Sequence, residues 1–194
     1  MIAGCQAHSF APAGPLTLSY KSPGLHQQVD PPRYYDVRGT TAAQVTTQLD
    51  ACTPVNTGQP GTFDAETTWF FNWTYRLYKK PAGQCNIRGA AVGVHVTVLY
   101  PRWVAPAQAA PSLAGQWQTF VTALQLHENN HVQMAIQYGQ QLLGGLQHFP
   151  DTHCADLQHA VDAYGDKIVQ TNNRAQIEYD NQTKYGATEG AIFP

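Results

Sequence analysis

His127 and His131 stand four residues apart with Glu128 beside the first, and this spacing constrains the chain more than any other feature. On a helix, residues i and i+4 share one face, so two imidazoles at this spacing can hold one metal ion, the H-E-x-x-H arrangement. At the chain's own His and Glu frequencies the pattern arises by chance roughly 0.007 times. The surroundings supply the helix. Leu113, Trp117, Phe120, Val121, Leu124, His127, His131, Met134, Ala135, Tyr138 and Leu142 keep steps of three and four, so the histidines continue an apolar stripe. Ser112 is the expected N-cap. Gly144-Gly145 and Pro150 are the expected stop, and Asn129 and Asn130 fall on the outer face.

A single histidine on an apolar face is more often a satisfied core residue than a ligand. A spaced pair beside a carboxylate is different, because each buried polar group carries a desolvation cost that a bound cation offsets. The expected cofactor is Zn2+.

The chain of 194 residues suits one folding unit, with 43% hydrophobic residues. Its formal net charge of −2 and 12% charged residues leave no overall basic excess to neutralise phosphates or anionic lipid, so nucleic acid is not an expected partner. No apolar run approaches the roughly 18 residues of a transmembrane segment. Ile2-Ala3-Gly4-Cys5 resembles a lipobox, which makes Cys5 a candidate lipid anchor, against an ordinary disordered start.

Residues 1–32, with Pro12, Pro15, Pro23, Pro31 and Pro32, read as a flexible tail with a short strand at 16–20. Residues 33–194 read as the domain. Tyr34 to Val37 is strand-like, and Thr40 or Thr41 caps a short helix reaching Cys52. Trp69, Phe71, Trp73, Tyr75 and Leu77 alternate with less buried partners, and Val92, Val94, Val96 and Val98 do the same after a turn at 81–84. The pair predicts an antiparallel hairpin, with His95 on the solvent side. Asp151-Thr152 is the expected cap of a last helix, which packs beside the first through Leu157, Val161, Tyr164 and Ile168. The fold class is therefore α+β, a small antiparallel sheet with a metal-site helix and a second C-terminal helix.

Two histidines leave the shell incomplete. A catalytic zinc site needs a third protein ligand and an open position for water, and Asp162 and Asp166 on the last helix are carboxylate candidates. Zinc acidifies its water and polarises a carbonyl, so Glu128 would act as general base in amide hydrolysis. A Cys-His plan is weaker, since no cysteine has a nucleophile context. The alternative class is a noncatalytic, metal-stabilised binding module of the cell envelope, for which Glu128 would be superfluous.

Several stretches resemble one bacterial family. Residues 34–41 (Tyr-Tyr-Asp-Val-Arg-Gly-Thr-Thr), Trp69 to Tyr75, Cys85, Pro101-Arg102-Trp103, His127 to His131, Cys154, Tyr179-Asp180, Thr183, Gly186 and Phe193-Pro194 are similar to a bacterial domain of unknown function described as predicted secreted zinc-dependent proteases. The resemblance spans about residues 33–194. It implies a zincin-like peptidase acting on peptides or proteins, secreted or held in the cell envelope. It also implies a Cys85–Cys154 disulfide, the first cysteine lying at the hairpin turn and the second just before the last helix. The family's tail reads Tyr-Asp-x-x-Thr-x-His-Gly, and this chain has Tyr185 where that histidine stands. The resemblance therefore makes Tyr185 a candidate third ligand beside His127 and His131.

Overall fold

A single long strand, β4 (Gln84–Trp103), is the spine of the fold. Its Val92, Val94 and Val96 have no exposed surface, as expected for β-branched residues covered on a pleated sheet. The structure, a computed structural model, describes residues 11–55 and 62–194. In order these form β1 (Gly24–Val29), β2 (Arg33–Val37), α1 (Ala42–Cys52), β3 (Glu66–Lys79), β4, α2 (Pro111–Gln147), β5 (Thr152–His153) and α3 (Leu157–Thr183), with a short 3-10 turn at Ala187–Glu189.

The sheet is mixed. The expected hairpin is present, with β3 antiparallel to β4 from Glu66↔Leu99 to Lys79↔Cys85. The other side of β4 is tiled in tandem: β5 pairs at Gln84 and Cys85, β1 runs parallel along Ala91 to Val96, and β2 runs parallel along Leu99 to Trp103. Parallel neighbours need a distant crossover and leave no local turn signature, so the hairpin was readable, whereas β2 was read as a strand without its pairing and β1 was not read at all. Among the described residues β3 pairs only with β4, which leaves its outer side a sheet edge.

Much of the segment read as a tail is structured. Residues 24–29 are β1, whereas 16–20 form no strand. Residues 13–16 cross the outer face of the sheet: Ala13 N donates to Thr68 Oγ1 at 3.1 Å, and Leu16 N donates to Asn72 Oδ1 at 3.1 Å. His95 is accordingly not a solvent-side residue. Its Nδ1 lies 2.9 Å from Gly14 O and its Nε2 3.1 Å from Asp30 Oδ2, under the crossing segment. Cys5 lies outside the described residues.

Helix α2 crosses the inner face of the sheet. It begins at Pro111 with Ala110 as N-cap, not Ser112, and runs through Gly144-Gly145 to Gln147. The helix thus ends between the glycine pair and Pro150, as expected, and Gly145 lets α3 come close: a Cβ there would lie 1.9 Å from the Tyr164 hydroxyl. Helix α3 starts at Leu157, not after Asp151-Thr152, because residues 152–153 are drawn into β5. The adjacent Cys154 forms a disulfide with Cys85, fixing the start of α3 to the hairpin. Thr41 caps α1 as expected, its Oγ1 accepting from Gln44 N at 3.3 Å.

Candidate metal centre

The middle of α2 delivers both histidines to the interior, where His127 is 3% and His131 7% exposed. Their rings are nearly perpendicular, at 87°, and their Nε2 atoms lie 3.2 Å apart. A carboxylate completes the group from α3: Asp180 Oδ1 is 3.2 Å from His127 Nε2 and 2.9 Å from His131 Nε2. Three ligands about 2.0–2.2 Å from one tetrahedral ion would be about 3.3–3.6 Å apart. The observed triangle is a few tenths of an ångström tighter and has the right shape.

The opposite ring nitrogens determine what the three atoms can be. Gln176 Nε2 donates to His131 O at 3.1 Å and to Asn172 Oδ1 at 3.2 Å, so its Oε1 faces His131 Nδ1 and accepts from it. His127 Nδ1 donates to Glu189 Oε2 at 2.8 Å. With hydrogen on both Nδ1 atoms, a neutral imidazole carries its lone pair on Nε2. Two lone pairs then converge on a carboxylate oxygen, and only a proton or a cation reconciles them. Burial opposes the charged imidazole in both rings, yet the Asp180 carboxylate, with Glu189 at His127 and Glu128 at His131, outweighs it and raises both pKa values. Burial likewise opposes ionised Asp180, but its hydrogen bonds to the two imidazoles prevail and lower its pKa.

A layer behind the donors holds them in place. Tyr179 stacks on His127 with centroids 4.9 Å apart at 18°, and its hydroxyl donates to Glu189 Oε1 at 2.7 Å. Asn130, expected on the outer face, donates to the Tyr179 oxygen at 2.7 Å. Burial pushes the Tyr179 phenol up to about 12, so it remains a donor. Glu189 stands on the turn after α3, where Gly186 (φ 82°) reverses the chain against the His127 ring; a Cβ there would lie 3.1 Å from His127 Cγ.

Glu128 is buried beside this triangle and lines the same cleft. Thr67 Oγ1 on β3 donates to its Oε2 at 2.6 Å, and burial raises its pKa despite the nearby imidazoles. The cleft, about 680 Å³, lies between α2, α3 and the start of β3. That is the size of a ligand site. Asp64 and Glu66 border it with pKa values raised chiefly by burial, Asp64 to about 6.

Tyr185 lines the cleft too, 40% exposed, with its ring 4.7 Å from that of Phe63. Asp162 and Asp166 are remote: they precede Asp180 on α3 by 18 and 14 residues, about 27 and 21 Å along a helix. The structure thus brings His127, Glu128 and His131 together with Asp180 and Glu189, two carboxylates to which sequence reasoning gave no role. The Tyr179-Asp180 pair was itself a signal for the first.

No curated protein matches the chain, and neither does any solved structure. Residues 32–186, a span that takes in the histidine pair, Glu128 and Asp180, match the family described as bacterial protein of unknown function (DUF922), and the chain belongs to that family.

Proposed function

We propose that the protein is a zinc-dependent peptidase in which His127, His131 and Asp180 hold the metal and Glu128 is the general base. The observation that carries this reading is the convergence of two buried imidazoles and a half-buried carboxylate oxygen in one triangle whose outer nitrogens are already committed. When bound there, zinc would supply an acidified water and a polarising charge for a carbonyl. Asp180, an ordinary oxygen ligand for zinc, takes the third place, and Tyr185 at the cleft mouth is left to face the substrate.

Glu128 is suited to its role by position. It lies next to the donors without being one of them, and Thr67 fixes its Oε2. A carboxyl with a pKa raised by burial exchanges protons closer to neutral pH than an exposed one, so it can take a proton from water and return it to the leaving amine. A purely structural metal site has no use for such a buried carboxylate. An extended peptide also has a place to lie, because the start of β3, at the sheet edge, forms one wall of the cleft. The Cys85–Cys154 disulfide supports an oxidising, extracytoplasmic setting, and no described helix is long and apolar enough to cross a membrane.

The test is a pair of variants assayed for metal content and for cleavage of an unfolded protein substrate. Glu128→Gln should keep one zinc per chain and lose at least about a hundredfold in rate. Asp180→Asn should lose the metal. Full activity in Glu128→Gln would leave the binding-module reading, and full zinc content in Asp180→Asn would remove Asp180 from the shell.

A further inference from the structure

At the far end of the hairpin, on the face of the sheet turned away from α2 and α3, two arginines oppose each other directly. Arg76 on β3 and Arg88 on β4 are ladder partners. Like charges at such positions repel, and among the described residues neither has a carboxylate partner. Each guanidinium lies over a tyrosine instead: Arg76 is 4.5 Å from the Tyr20 ring centroid and Arg88 3.8 Å from that of Tyr78. The arrangement depends on a bulge. The register shifts between Thr74 and Arg76, and Gly89 takes φ +61°, a conformation that L side chains rarely adopt, with its backbone close under Tyr20 O. Without the bulge Arg88 would point to the helix side of the sheet.

Lys21 joins the two arginines around one shallow cavity. Three cations that have no carboxylate partner among the described residues therefore gather at one end of a chain that holds 11 Lys and Arg and has a net charge of −2. Tyr20 and Tyr78, in the same place, are 44% and 45% exposed. Cations that bind phosphate oxygens, interleaved with exposed tyrosines, match the chemistry of a bilayer's headgroup layer.

We propose that this hairpin end docks the protein on an anionic membrane surface, with Arg76 and Arg88 sharing a lipid phosphate and Tyr20 and Tyr78 entering the headgroup layer. The surface lies on the opposite face of the sheet from the histidine pair, so docking leaves the cleft open, and it does not depend on the peptidase reading.

Sedimentation of the full chain with vesicles of phosphatidylcholine alone, or of equal parts phosphatidylcholine and phosphatidylglycerol, tests the proposal. The parent should bind the mixed vesicles, more weakly as salt is raised, and not the neutral ones. At about fivefold per cation near an anionic surface, the Arg76→Gln, Arg88→Gln double variant should bind about twenty-five-fold more weakly. Tyr78→Ala, which keeps every charge, should also weaken binding. Equal binding to both vesicle types, or a double variant that folds and binds like the parent, overturns the proposal. So does binding of inorganic phosphate without any binding to vesicles, which would make the ligand a soluble anion.

Discussion

Replacing Gly139 with alanine should destabilise the protein even though alanine is the better helix former. Gly139 is where α2 lies closest to the sheet: a Cβ there would stand 2.2 Å from Val94 Cγ2 and 3.4 Å from Leu25 Cδ1. Carbon contacts settle near 3.5–4.0 Å, so about 1.5 Å must be found. Val94 cannot supply it, being fully buried on the central strand and stiff at χ1. The helix has to lift. Overpacking of this severity belongs at about 3 kcal/mol, and the gain in helix propensity returns about 1 kcal/mol, leaving a net loss of about 2 kcal/mol. For a chain of this size that is about 4–8 °C in Tm. Gly115, on the same helix, is the control: a Cβ there meets nothing within 4 Å, so Gly115→Ala should raise stability by up to about 1 kcal/mol. Thermal unfolding followed by circular dichroism reads both. Gly139 also lies about 12 Å along the helix from His131, so lifting should loosen the triangle with Asp180 and weaken zinc binding as well. If Gly139→Ala and Gly115→Ala shift Tm in the same direction, helix-to-sheet contact does not set the position of α2.

Glu189→Gln, which removes the charge behind His127 Nδ1, should weaken zinc about tenfold or more in a chelator competition, while Glu178→Gln on the exposed face of α3 should leave it unchanged. The pH response should depend on the metal. Without zinc, the raised pKa values of His127 and His131 give stability that is fully present below the unfolded value of about 6.5 and is lost as pH rises through the folded values, whereas zinc competes with those protons and should add more to Tm as pH rises over the same range. Melting curves with chelator and with zinc from about pH 6 to about pH 8 decide this, and a zinc increment that does not change with pH would contradict it. Removing the disulfide with Cys85→Ala and Cys154→Ala frees a loop of 69 residues, a loss of about 4 kcal/mol in the chain-entropy account, and should lower Tm by about 8–16 °C.

The legible parts of the fold were those whose signal is local. Alternation at Trp69, Phe71 and Trp73 and at Val92 to Val98 reports side chains that face the helices, and it returned the β3–β4 hairpin. Thr41 was legible as a cap because its hydroxyl acts within one turn. What failed was decided at a distance. Gly24–Val29 carries His26, Gln27 and Gln28, which do not resemble a strand, and it becomes one because β4 offers it an unpaired edge. Gly144-Gly145 marked the end of α2, which stops at Gln147, but nothing local showed that the Tyr164 ring occupies the space beside Gly145.

The site divides in the same way. His127, Glu128 and His131 sit within five consecutive residues, so one helical turn fixes their relation and spacing alone reveals it. Asp180 and Glu189 reach the same place from 49 and 58 residues beyond His131, and a carboxylate on α3 or after it reads as a solvated surface group until the packing of α3 against α2 is known. The packing is itself set by residues without any chemistry of their own: Gly145 admits Tyr164, and Gly165, where a Cβ would lie 2.3 Å from the Trp73 ring, lets α3 rest on β3. Gly165→Ala should therefore move Asp180 relative to the histidines although it lies about 22 Å from it along the helix. On the proposed reading, the spaced histidines can hold an ion only where these small residues allow a second helix close enough to bring Asp180 as the third donor.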